Sequence, residues 1–500
     1  MNPDFVIRNA KLVDGTGSAS HEVDVAVTQD RISAVGVPGA EELGSNSTQI
    51  DAKGLTLAPG FVDVHSHDDG ALISQPDMGF KLDQGCTSVV VGNCGFSAAP
   101  MLPGVQDPGG IIGPGGTWTD LAGFANEVHN AGVGVNAMAL VGHNTIRNLV
   151  MGNSQQAPTQ GELDQMKRHV ATAMAQGACG FSTGLVYEPG RYSQTEEVIE
   201  LASEAAPFAG LYATHMRNER DHLLEAVGEA IEVGRQANLA VQISHHKAAD
   251  AHNWGKVAQS LALVDQANAS GSDISLDVYP YTAGSGPMAQ YFDHNQPDEI
   301  LASVTRIATC PAFRSYEGQM VADIAKAEHR TPGEVVGRIL AAPNGHKTIC
   351  IQFIIDEADV ETNMVHQRMM VGSDGIPATD GLPHPRLYGT FPRFLGRYVR
   401  ERKLMGLPEA IRRITSMPCE RFGMVDRGVV AEGQFADLVL FDPERVIDHA
   451  TYDEPTKAPS GIEMVVVNGS IARGGDGGPV ANGDRAGRFL RYRSSAHRMS

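Results

Sequence analysis

Nowhere in these 500 residues does an apolar run approach the ~18 that a membrane helix requires. The opening stretch, MNPDFVIRNAKLVDG, has acidic and polar residues where a secretion signal needs an apolar core. The two absences predict a soluble, cytoplasmic protein. Cations are scarce too. The 39 Lys and Arg against 59 Asp and Glu leave a formal charge of −20, which argues against nucleic acid or an anionic membrane as a partner. Cysteine is sparse: Cys86, Cys94, Cys179, Cys310, Cys350 and Cys419 are too scattered for a disulfide framework. Each is expected to be a buried thiol, and a functional one must be argued on its own.

What is present is an ordinary globular composition, 42% apolar, in a chain long enough for one large domain with satellites or for two domains. Both ends read as β-structure. Short Val- and Ile-rich runs broken by Gly, Asp and Asn fill residues 4–57, and the same texture returns in GVVAEGQFADLVLFDP and GIEMVVVNGSIARGG. Asn468-Gly469 in the latter is a strong two-residue hairpin signal. One small β-sandwich domain built from residues 1–57 and 424–475 is expected, with 476–500 as an arm or tail.

The middle, 58–423, alternates short apolar strands with helical stretches. Candidate strands lie at 61–64, 88–91, 136–141, 180–183, 211–214, 240–244, 274–279 and 369–373. Alternation on this scale predicts an α/β fold, a (β/α)8 TIM-like barrel, over a doubly wound sheet. A turn at Pro59-Gly60 should release the first strand. Ser193-Gln194-Thr195-Glu196 reads as a capping box. Pro100 to Gly116 should form a long loop. An insertion between barrel strands 7 and 8, residues 284–347, is long enough to act as a lid, and Thr331-Pro332-Gly333-Glu334 should start a helix within it.

Barrel sites sit at the C-terminal ends of strands, and these ends deliver a consistent chemistry. Strand 1 runs into His65-Ser66-His67, whose two imidazoles share a face by strand alternation. Strand 2 leads to Cys94, strand 5 to His215, strand 6 to His245, His246 and Lys247, and strand 8 to Asp374. Any one of these is more economically a structural residue, and Asp374 alone could be a helix cap. As a set they predict a metal site.

The motifs GFVDVHSHDD, GNCGFSAAP, GACGFSTGLVYEPG, ATHMRNE, QISHHK, DVYPYTAGS, VGSDG and HPRLYGTFPR occur in this order. With them the sequence resembles the amidohydrolase superfamily, and within it the N-acyl-D-amino-acid deacylases, over about residues 4–475. The resemblance implies a zinc ion held tightly by Cys94, His215 and His245, with His65 and His67 completing a second, weaker site. Cys94 would stand where many relatives carry a carbamylated lysine; thiolate with imidazoles is a favourable zinc set, and residues 177–187 contain no Lys. His246 points away from His245 and receives no metal role.

In the same reading Asp374 is the general base and acid for a metal-activated water, and Tyr187 an added donor to the oxyanion. Arg386 would grip the substrate α-carboxylate in a fork, helped by Lys247 on the same side of its strand as His245, and by Tyr279 and Ser285. The segment after Ser285 offers Met288, Tyr291 and Phe292 but no cation, so a neutral, mainly hydrophobic D-amino-acid side chain is expected. The implied partner is a small N-acyl-D-amino acid, and the implied state a monomer or small homo-oligomer. Two other readings are weighed: a cyclic-amide hydrolase of dihydropyrimidinase or hydantoinase type, disfavoured by Cys94 and the missing lysine, and a catalytically inactive barrel used for binding, disfavoured by the intact ligand set.

Overall fold

The computed structural model describes residues 3–36, 47–101, 112, 116, 118–292, 299–378, 380–474, 478–479 and 485–492. Five strands come first: β1 (Phe5–Leu12), β2 (His21–Thr28), β3 (Arg31–Gly36), β4 (Thr48–Asp51) and β5 (Thr56–Pro59). Then follow β6 (Phe61–Asp63), β7 (Cys86–Val91), β8 (Asn136–Ala139), β9 (Val141–Gly142), β10 (Gly180–Gly184), β11 (Leu211–His215), β12 (Ala240–Ile243) and β13 (Ile274–Val278). The remainder are β14 (Gly284–Pro287), β15 (Thr305–Thr309), β16 (Ile349–Gln352), β17 (Met369–Val371), β18 (Leu438–Phe441), β19 (Ile462–Val467), β20 (Ser470–Gly474) and β21 (Gly478–Pro479).

Parallel pairing runs β6-β7-β8 and β9-β10-β11-β12-β13-β17. The strands β8 and β9 are one length of chain interrupted at Leu140. Closure comes from a parallel bridge between Ser66 and Gly375, where the His67 amide donates to Gly375 O (3.0 Å) and the Asp374 amide to His65 O (2.7 Å). The result is the (β/α)8 barrel. Its strands are buried almost end to end because side chains fill the inside and helices cover the outside. Helix Gln160–Ala175 shows how the helices are seeded: Thr159 and Glu162 form a reciprocal capping box.

Pro59-Gly60 does not turn. The chain passes from β5 to β6 across Gly60 alone, and Gly60 is required because a Cβ there would strike the Thr87 side chain. Nor do Ser193 and Glu196 cap a helix. Ser193 Oγ instead donates to Gly190 O (2.7 Å), and the helix Thr195–Ser203 begins after Gln194 with no side-chain cap.

Among the described residues the strands from both chain ends form one nine-stranded sheet, in the order β21-β20-β19-β18-β5-β1-β2-β3 with β4 beside β1. It curls until Arg31 bridges Phe435, so the two layers of the sandwich belong to one sheet closed over Phe5, Ile7, Val25, Leu438 and Val466. Asn468 and Gly469, both at positive φ, join β19 to β20.

The insertion is an antiparallel sheet, β14-β16-β15, packed on the helices Val321–Ala327 and Pro332–Ala341, the latter started by a Thr331/Glu334 capping box. Its third strand carries it to Gln352, beyond residue 347. Most of the loop at 100–116 and residues 493–500 of the tail lie outside the described residues. Residues 485–492 dock on the barrel: Leu490 N donates to Ala137 O (2.7 Å) and Tyr492 N to Gly177 O (2.9 Å). Among the described residues no helix is long and apolar enough to cross a membrane.

Candidate active site

Just past β6 the HxH pair enters the barrel mouth. His65 is fully buried and directs Nδ1 to Asp277 Oδ1 (3.1 Å), at the end of β13, leaving Nε2 to face Cys94 Sγ at 3.3 Å. His67 Nε2 lies 3.2 Å from Asp374 Oδ1. Cys94 holds its place through a left-handed backbone (φ 55°) after β7, and its carbonyl packs on Gly184, where a Cβ would collide with it. His245 presents Nε2 to the same sulfur at 3.4 Å. The ring of His215 stands 4.2 Å from that of His245 and 4.8 Å from that of Tyr187, and its Nδ1 is buried without a hydrogen-bond partner.

Ligand atoms of His65, Cys94, His245 and Asp374 all lie within 4.8 Å of one another, as do those of His215, Glu219 and His245. His245 is common to both groups, and His67 is drawn in through Asp374. A soft sulfur, imidazoles and a carboxylate that converge in a buried space fit a divalent metal. Electrostatics agree. Against the cost of burial, the charges of His65 and His245 hold the Cys94 thiol well below its usual value. Against the same cost, the Arg386 guanidinium and His245 keep the Asp374 carboxyl well below the carboxylate range. Burial raises the Tyr187 hydroxyl well above its usual value, so it remains a donor.

Arg386 is completely buried. Its Nη2 lies 2.9 Å from Asp374 Oδ2 and donates to Ser285 O (3.1 Å), while Nε and Nη1 have no partner. Its Cζ stands over the Tyr279 ring, 4.5 Å from the ring centre. Lys247 Nζ reaches Glu219 Oε1 at 2.6 Å and His245 Nδ1 at 2.9 Å. Tyr187, His215, His245, Lys247, Tyr279, Ser285 and Asp374 thus share the wall of a cavity of about 280 Å³. His246 turns outward to Asn363 Oδ1 (2.7 Å) and Ser260 Oγ (2.8 Å), and burial lowers it to about 4.

Three residues escaped the sequence reading. Glu219 joins Lys247 to His245. Asp277 fixes His65 and also accepts from the His245 amide (2.8 Å). Lys81, fully buried, ties Asp63 (2.6 Å) to Ser373 Oγ (3.0 Å), and so strand β6 to the chain after β17. Glu219 follows His215 by four residues in ATHMRNE and Asp277 opens DVYPYTAGS, so both lie inside motifs already noted. Of the residues expected to meet a substrate side chain, Met288 and Phe292 belong instead to the insertion's own core. Their apolar bulk is consumed in stabilising the insertion. Tyr291, Leu301 and Val186 line the cavity in their place.

The strand ends of this parallel barrel gather a thiol, imidazoles and a carboxylate into a candidate metal centre at its mouth. The profile of the Amidohydrolase family matches residues 48–314 and 363–473. A D-aminoacylase of Alcaligenes xylosoxydans xylosoxydans is 38% identical over 470 residues, 93% of this chain and 94% of that protein. An N-acyl-D-glutamate deacylase of the same organism is 40% identical over 468 residues, 93% of each. The crystal structure of N-acyl-D-glutamate deacylase from Bordetella bronchiseptica, complexed with zinc and a phosphonate inhibitor that mimics the tetrahedral intermediate, superimposes with a TM-score of 0.90 at 39% identity, covering 98% of this chain and 100% of that one. The chain belongs to the amidohydrolase family.

Proposed function

We propose that the protein is a zinc-dependent hydrolase that cleaves N-acyl-D-amino acids to a carboxylic acid and a free D-amino acid. The observation that carries the reading is the position of Arg386. One edge of its guanidinium is on Asp374, and two buried donors beside that edge are free for an anion. A carboxylate bound there brings the neighbouring amide to Asp374. Relatives and a neighbouring structure that act on N-acyl-D-amino acids supply the linear amide and the D configuration.

Cys94, His215 and His245 would hold one zinc tightly, with His65 and His67 forming a second, weaker site. When bound, the ion supplies Lewis acidity that polarises a carbonyl and acidifies water. Asp374, kept ionised by Arg386 and His245, takes the proton of the attacking water at a carboxylate oxygen. It then gives that proton to the leaving nitrogen, without which the amine cannot depart. Tyr187 donates to the developing oxyanion. Arg386, Lys247, Tyr279 and Ser285 hold the α-carboxylate and so orient the bond to be broken.

The side chain favoured is neutral and mainly hydrophobic. Val186, Tyr291 and Leu301 line its side of the cavity, while Arg217 there is committed to Glu229 (2.9 Å) and Arg220 to Asp250. N-acetyl-D-leucine should be turned over better than N-acetyl-D-glutamate; the reverse order would refute this preference. The charge of −20 supports the absence of nucleic-acid and anionic-membrane partners; the location assigned is the cytoplasm and the state a monomer or small homo-oligomer. The reaction is tested by offering N-acetyl-D-methionine, its L-enantiomer and dihydrouracil to zinc-loaded protein. Hydrolysis of the D-amide alone is expected, and hydrolysis of dihydrouracil alone would make the enzyme a cyclic-amide hydrolase.

A further inference from the structure

The barrel mouth has a second recess, of about 230 Å³, between the loop after β6, the loop after β17 and the insertion. Ser285 lines both recesses. Asp374 lines the first, and His67, 3.2 Å from Asp374, lines the second. A small-molecule site usually spans ~300–1,000 Å³, so neither recess alone holds a whole ligand of that kind. The walls of the second are mainly apolar, with Ile112, Ala308 and Ile349 buried and Ile376 half-buried, beside the polar Ser74, Gln75 and Thr309. Its charged groups stand at the rim: Lys347 is exposed, and Asp380 is paired with Arg314. His384 is committed in the wall, Nε2 donating to Ala283 O (2.9 Å) and Nδ1 accepting from the Arg386 amide (3.0 Å).

We propose that this recess is the acyl chamber and that it takes straight aliphatic acyl chains longer than acetyl. The inference rests on the deacylase reading. Lys247 and Tyr279 confine the amino-acid half to the first recess, and the scissile carbonyl lies beside Asp374 and Cys94. The acyl substituent leaves the carbonyl carbon on the side opposite the nitrogen, past His67 and under Ser285, where the apolar walls begin. Each methylene entering that surface strengthens binding by roughly fourfold.

The test is kcat/KM for N-acetyl-, N-butanoyl-, N-hexanoyl- and N-octanoyl-D-methionine in three zinc-loaded proteins: the wild type, Ala378→Phe, which adds bulk to the chamber wall, and Ile376→Ala, which removes it. The wild type should hydrolyse the hexanoyl substrate at least as well as the acetyl one. The hexanoyl-to-acetyl ratio should fall at least about tenfold in Ala378→Phe. In Ile376→Ala the octanoyl-to-acetyl ratio should rise, which settles the matter even where Ala378→Phe does not fold. The chamber is overturned if the wild type loses more than about tenfold on passing from acetyl to hexanoyl, or if the variants that fold leave the ratios unmoved. Absence of turnover for every chain length, acetyl included, would refute the deacylase reading itself and the chamber with it.

Discussion

Arg386 Nη2 lies 2.9 Å from Asp374 Oδ2, so the group that would bind the substrate's carboxylate and the group that would move its proton are in direct contact. Replacing Arg386 with Met removes a fully buried charge-assisted contact, worth about 3 kcal/mol or roughly a hundredfold in kcat/KM. The loss should fall on N-acetyl-D-methionine. Its uncharged amide, which has no α-carboxylate to lose, should show a smaller change. Kinetics on the two substrates check this, and equal losses would remove Arg386 from carboxylate binding.

Glu219 Oε1 stands 2.6 Å from Lys247 Nζ and 2.9 Å from His245 Nδ1. It orients an imidazole proposed to bind zinc and a cation proposed to bind substrate. Glu219→Gln should weaken zinc retention by about 10–100-fold, the usual cost of losing such a support, and should raise KM as well. Titration of the metal with a competing chelator measures the first effect without reference to activity.

Away from the site, Glu197 accepts from His143 Nε2 (2.9 Å) and from Arg147 Nε (3.1 Å), both completely buried. Burial pushes the Glu197 carboxyl up, but these partners hold it below its usual value. A depressed carboxyl stabilises the fold at pH values above its unfolded-state pKa, and that stability is lost as pH falls through the folded-state pKa. Glu197→Gln should therefore cost about 3 kcal/mol at pH 7. The difference should shrink as the solution is acidified below about pH 4. Denaturant unfolding of both proteins at pH 7 and at about pH 3 checks the sign.

The barrel was legible because strands buried on both sides read as short apolar runs and because their ends carry unusual side chains. His65, Cys94, His215, His245 and Asp374 could each be placed at a strand terminus without coordinates. Which of them would meet could not. The grouping of His65 with Cys94 depends on Asp277 turning an imidazole, and Asp277 lies more than two hundred residues away in the chain. Glu219 was illegible for a related reason: a carboxylate's role is set by the neighbours that folding brings to it. Local signals failed where tertiary contacts outbid them. Ser193 gives its hydroxyl to Gly190 rather than to a helix end, Gly60 serves close packing on Thr87 rather than a turn, and Met288 and Phe292 are buried in the insertion that was expected to present them.

The measurement closest to the central claim is the activity and zinc content of Asp374→Asn beside the wild type, with N-acetyl-D-methionine as substrate. If Asp374 is the proton shuttle and Cys94, His215 and His245 hold the metal, zinc content should be unchanged and kcat should fall by about 10²–10⁴-fold. A variant that keeps its zinc and retains kcat within about tenfold would contradict the account, since a shuttle contributes more than that.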